Sequence, residues 1–183
     1  MNSLLYKIRN RLNWNYWLGL FQVTWAQVSS KALGTMAVTS QLSAILKKAN
    51  GEMIDLGVLG YRSVTTAFVT FVVDQLQTES SLFGDFKYHD SGVGTTAENI
   101  TDTAMETTDG ESRATGTQTE SAANAYRSVG TISYTTTKAI TEHGLFNDAT
   151  TGTLMDRTVF SAVNVVNGDS IQFTYTLTIS AGG

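Results

Sequence analysis

The sequence predicts a mainly β protein: an antiparallel, jelly-roll-like β-sandwich with one or two helices and an aromatic, basic N-terminal arm. Three observations lead there. Ser170 to Ser180 alternates without a break, with Ile171, Phe173, Tyr175, Leu177 and Ile179 on one side and Gln172, Thr174, Thr176, Thr178 and Ser180 on the other. That is the period-two pattern of a strand with one buried face. Similar runs recur through the second half at regular spacing, broken by Gly, Asn and Asp, as in sandwiches and barrels. All three tryptophans (Trp14, Trp17, Trp25) fall near the N-terminus, before the first alternating run.

Composition narrows the chemistry. The 183 residues include no proline and no cysteine, so turns must be made by Asn, Asp and Gly pairs. Disulfides and thiolate metal sites are excluded, and the fold must rest on packing and on assembly. The net charge of −4 conceals an asymmetry: Lys7, Arg9, Arg11 and Lys31 precede every acidic residue in the chain. A basic arm before an acidic body suggests contact with an acidic surface, such as a neighbouring copy of the body.

In chain order, residues 1–34 read as a docking arm and 35–183 as the sandwich. Leu4, Leu5, Ile8 and Leu12 recur at helical spacing, with Lys7, Arg9 and Arg11 off that face. Such a helix either packs on its own domain or docks elsewhere. Trp14, Trp17, Phe21 and Trp25, with Arg9 and Arg11, are the candidate partner-binding residues, because Trp and Arg are enriched where proteins bury surface against one another. Asn13, Asn15 and Gln22 interrupt the apolar run, so neither a cleaved signal nor a membrane span is expected. A membrane-surface helix would need a better polar face.

Met36 to Leu46 alternates as a strand. Asn50-Gly51 supplies a type I′ hairpin pair, and Ile54, Leu56 and Val58 return as the partner. From Ser63 to Gln77, Val64, Ala67, Phe68, Phe71, Val72 and Leu76 sit three and four apart after a Ser63 that can cap, which predicts a helix. Residues 90–124 are small, polar and acidic and read as a loop with one helical turn near Thr101 to Glu106. Strands are then expected at Ala123–Tyr134, Lys138–Leu145, Thr153–Val159 and Ser170–Ser180, with Val163–Val166 leading into the last through Asn167-Gly168-Asp169.

The stretch TEHGLFNDATTGTLMDRTVF, Thr141 to Phe160, carries a histidine beside a carboxylate and an Asp-Arg pair. On a strand, Ile140 and Glu142 would share one face and Thr141 and His143 the other, so Glu142 and His143 cannot form an acid–base pair. Asp156 and Arg157 likewise face opposite ways, and each should pair across the sheet. The other histidine, His89, would have to converge with His143 and with Asp90, Asp148 or Asp156 to hold a metal, which no spacing requires. There is no G-x-S-x-G, and GVGTTAEN and GDS read as turns. No catalytic residue, metal or cofactor is expected.

The segments FKYHDSGVGTTAE, RATGTQTE, YRSVGTIS, AITEHGLF and LMDRTVFSAVNVVNGDSIQFTYTLTIS, in this order, resemble a family of small structural proteins of tailed bacteriophages. The resemblance covers roughly Arg62 to Gly183 and leaves the arm outside. It implies a virion location and a structural role without catalytic residues. The expectation is a capsid decoration or cement protein that binds the major capsid protein, or other virion proteins, as a homo-oligomer such as a trimer, without contacting nucleic acid or membrane. Tail, baseplate and fibre components, and a carbohydrate-binding β-sandwich used in host attachment, are the alternatives.

Overall fold

Asn2 and Asn13 open two helices where the spacing predicts one. In a computed structural model that describes residues 2–62, 64–76 and 85–181, the arm is α1 (Ser3–Arg11) followed by α2 (Trp14–Leu33). The Asn2 side chain accepts hydrogen bonds from the Leu4 and Leu5 amides, and Asn13 accepts one from the Asn15 amide. Each therefore satisfies amides that the first turn of a helix leaves without partners. α2 stops at Gly34, whose φ of 65° is the left-handed geometry of a helix end.

The body is a two-layered antiparallel sandwich. One sheet runs β2 (Met53–Arg62), β1 (Ala37–Lys47), β9 (Ser170–Ser180), β6 (Ala125–Ser133), β5 (Thr117–Ala122). The other runs β4 (Ala114–Thr115), β3 (Tyr88–Gly92), β7 (Lys138–Phe146), β8 (Leu154–Val165). The core lies between them, with Leu42, Leu46, Leu56, Ile140, Leu145, Val163, Ile171 and Phe173 virtually inaccessible to solvent. A hairpin forms at Asn50-Gly51, but not through a type I′ turn. Asn50 keeps a negative φ, only Gly51 is left-handed at φ 88°, and its amide donates to the Lys48 carbonyl at 2.8 Å, as in a three-residue loop with a closing glycine.

Several strand readings need correction. Met36 precedes β1 and is exposed, and Ile179, near the end of β9, is exposed although paired with Val38. β8 is a single strand where two runs are expected. The polar stretch holds β3, β4 and β5 but no helical turn near Thr101 to Glu106. β5 escaped notice because an edge strand exposed on nearly all positions shows no apolar alternation. Val58 is half-buried and Leu59 takes its place in the core. Register shifts in the β1–β2 pairing explain this: bulges at Leu56 and Leu59 turn successive side chains to the same side.

α3 (Thr66–Leu76) matches the predicted helix. Ser63 and Gln77 lie outside the described residues, and the cap is Thr65, whose Oγ1 accepts from the Phe68 amide at 3.1 Å. Phe86 packs edge-to-face against Phe68 and Phe71 of α3, while Leu76 is exposed rather than inward.

α1 is a structural part of the body. It lies between the edge strands β2 and β8 of the two sheets. The Asn10 side chain donates to the carbonyls of Val58 (3.1 Å) and Leu59 (2.9 Å) and accepts from the Ser161 amide (3.2 Å). Tyr6 donates its hydroxyl proton to the Ser161 carbonyl at 2.7 Å, and Arg9 donates to the Ala162 carbonyl. These backbone groups are free because β2 bulges and β8 shifts register there. α1 thus satisfies buried backbone polar groups that neither ladder can, and covers two strand edges at once.

Candidate docking surface

The residues from Thr141 to Phe160 that look catalytic are distributed over two layers. The β7–β8 pairing shifts register between Ile140 and Glu142, so strict alternation fails there. Ile140 and His143 point into the inter-sheet core, whereas Thr141 and Glu142 both bond the loop 93–113 that crosses the outer face of β7 and β8. The expected sharing of a face by Ile140 and Glu142 is therefore overturned, while the separation of Glu142 from His143 holds.

Glu142 anchors that loop. Its carboxylate accepts from the amides of Gly94 (3.0 Å), Thr107 (2.8 Å) and Glu106 (3.2 Å) and from Arg157 Nε (2.6 Å). Arg157 continues the network to Asp102 (3.0 Å), Glu106 (3.2 Å) and the Thr96 carbonyl (3.2 Å). Burial opposes the Arg157 charge, but these carboxylates outweigh it and raise the pKa above its ordinary value. The three directions of the guanidinium fork are all engaged.

On the inner face, His89 and His143 converge, which no spacing in the sequence requires. His89 Nδ1 lies 2.9 Å from His143 Nε2, and His89 Nε2 lies 2.8 Å from Ser128 Oγ. Their companions are Phe173 and the glycine backbone of β6, not carboxylates. Among the described residues no three His, Cys, Asp or Glu side chains gather to hold a metal. Burial pushes His89 down to about 3 and holds His143 well below the usual imidazole range, with a contribution from His89. Nearby, Asp156 accepts from Ser40 and, at 3.2–3.3 Å, from Thr158 and Tyr175, and burial raises it to about 6. These polar groups have their partners within the fold.

The arm differs. α2 presents Tyr16, Gly19, Val23 and Ser30 to the body. Gly19 is required there: a Cβ would meet the Tyr61 carbonyl and the Arg62 guanidinium. Tyr16 packs edge-on against Tyr61 at 5.7 Å. The opposite face is also apolar, and it is uncovered. Trp14 is 75% exposed, Trp17 52%, Phe21 66% and Trp25 64%. The four aromatic residues singled out from the sequence thus lie together on one outward face. Leu18 and Val28 extend it, and Leu4, Leu5 and Ile8 of α1 and Leu12 at its end are exposed as well. Leu18 and Val28 were legible from their spacing to the tryptophans, but the face α2 would bury could not be read, because both sides are apolar. The two arginines singled out with them lie on α1. Arg9 braces the Ala162 carbonyl and lies over the Tyr6 ring, and Arg11 accepts the Trp17 indole proton on its carbonyl.

No protein-family model matches the chain, and a search among characterised proteins finds no match to it. No helix among the described residues is long and apolar enough to cross a membrane.

Proposed function

We propose that the protein is a structural component of a tailed-phage virion, a decoration or cement protein that joins the capsid shell as a symmetric oligomer assembled through the outward face of its N-terminal arm. One observation carries this: four large aromatic side chains stand exposed on α2, on a helix whose other side is already docked. Monomeric proteins rarely leave a contiguous apolar surface of that kind uncovered, and such surfaces mark interaction sites. The resemblance of Arg62 to Gly183 to phage structural proteins supplies the setting. The sandwich acts as a rigid platform, held by packing and by the internal ion pairs of Arg157, and repetition over a symmetric shell lets modest contacts hold together.

The test is co-sedimentation of purified protein with particles stripped of it, using DNA-filled heads and isolated tails as separate arms. Binding to heads, lost on Trp25→Asp with the β spectrum intact, is the expected result. Binding to tails alone would move the protein to the tail, and capture by host glycans without particles would replace the assembly role with attachment.

A further inference from the structure

Along the outward face of α2, Trp14, Leu18, Phe21, Trp25, Val28 and Ala32 form a stripe separated by four, three, four, three and four positions, with Trp17 beside it. A strict three-four alternation averages 3.5 residues, the period at which a seam stays aligned with another helix. Leu18, Trp25 and Ala32 occupy one set of heptad positions, and Trp14, Phe21 and Val28 the other. Packing on a sheet needs no such seam, and the face of α2 that does pack on its sheet, Tyr16, Gly19 and Val23, lies on the other side. We propose that this stripe is a helix–helix seam whose partner is α2 of a second copy of this chain. The proposal takes its face from the assembly reading above and names what covers it.

Three features favour a second copy. The first is size. A fully buried aromatic side chain removes about 150–250 Å² from solvent, so the exposed fractions of Trp14, Trp17, Phe21 and Trp25 amount to about 500 Å². Leu18, Val28 and Ala32 add to that, toward the ~800 Å² per partner of a stable interface.

Charge is the second. The positions flanking the seam are Asn15, Gln22 and Ser29 on one side and Trp17, Thr24 and Lys31 on the other. Flanking charges are what usually dictate the choice of a different partner helix, and here only Lys31 is charged. The arm has no carboxylate to complement a basic partner, and Lys7 and Arg9 are engaged with Asp55 and the Ala162 carbonyl. Nothing along the middle of the seam opposes pairing like with like.

The third is the orientation of α2. A helix lying on a lipid surface turns a charged face to water, whereas the face of α2 opposite its stripe is covered by the protein itself.

All three tryptophans lie on α2, so their emission reports on this surface alone. The experiment is light scattering and tryptophan fluorescence on the full chain over a wide dilution series, with anionic vesicles in a parallel arm. The expected mass is a multiple of 19.8 kDa, with an emission maximum that moves to the red as dilution lowers the mass. Phe21→Asp and Val28→Asp should each weaken association at least about thirtyfold, the fold-change of a hot-spot residue. Val69→Asp, on the exposed side of α3, should leave it unchanged. A monomeric mass at every concentration, unaltered association in both seam variants, or emission that responds to vesicles alone would overturn the proposal. A monomer that still co-sediments with heads would overturn self-association and leave the assembly role standing. An oligomer that ignores particles would do the reverse.

Discussion

Glu142 and His143 are consecutive residues separated by the thickness of a β-sheet. Glu142 holds the outer loop and Arg157 at 2.6 Å, and His143 lies between the sheets, 2.9 Å from His89 and with its ring tilted against Phe173. The pair that looks catalytic in the sequence therefore serves two layers of the fold, and its members have separate consequences when changed.

Glu142→Ala removes the acceptor of three loop amides and leaves Arg157 short of its closest carboxylate. Breaking a buried pair from one side costs about 3–5 kcal/mol. The expected outcome is a loss of that order in denaturant melts, with accelerated amide exchange across residues 93–113. A variant as stable as the wild type, with that loop still protected, would remove the anchoring role.

The two histidines make stability depend on pH. Both have folded pKa values depressed by burial, His89 to about 3, while the unfolded chain takes up protons near 6.5. Below about pH 6.5 the unfolded state thus binds more protons, so stability falls as pH is lowered. Asp156 has the opposite sign: its folded pKa of about 6 exceeds the ordinary 3.8, so it favours the folded state more as pH falls through 6. Asp90 and Glu98, which burial also raises, act in the sense of Asp156, but the histidines carry the larger shifts, so the melting temperature should drop between pH 7 and 5. In His143→Leu the drop should be shallower, and an unchanged slope would mean that the imidazoles are protonated in the folded protein.

Phe173, on β9, contacts His143 at 4.5 Å and is fully buried. Phe173→Ala should cost about 3–5 kcal/mol, as aromatic truncations in cores do. Thr174→Ala, on the other face of the strand, should be nearly neutral in the same urea titration. Equal effects at both positions would contradict the facing of β9.

Asn10 joins the sheets at their open side, so Asn10→Leu strands the Val58 and Leu59 carbonyls and the Ser161 amide. Each buried group left unpaired costs about 1–3 kcal/mol. For the same reason, removing Met1 to Lys31 should yield an unstable or aggregating product with exposed β2 and β8 edges. The sequence alone suggests the reverse, a β-domain that folds without its arm. Circular dichroism of the truncated chain decides between the two.

At Gly19, any side chain collides with backbone of β2. Gly19→Val should lift α2 from the body at a cost of about 1–3 kcal/mol, raising the protease sensitivity of residues 14–33 while the strand signal persists. Cleavage indistinguishable from wild type would show that α2 does not rest on Tyr61 and Arg62.

The sequence by itself determined the β class, the Asn50-Gly51 hairpin, the inward face of β9 from Ile171 to Leu177, and the helical character of the arm around Leu4, Leu5, Ile8 and Leu12. Each follows from local geometry: a period of two or 3.6, or a turn that demands a particular residue pair. Tertiary structure alone decided what required knowing a partner. Bulges at Leu56 and Leu59, and the register shift after Ile140, break alternation because the neighbouring strand sets the pairing. β5 is a strand because β6 lends it a ladder, and its own exposed, polar residues leave no apolar mark. His89 and His143, distant in sequence, meet because β3 pairs with β7. The arm illustrates the division best. Its two helices are encoded by asparagine caps and spacing, but only packing determines that Tyr6 and Asn10 close the sandwich and that the tryptophans are left to face outward.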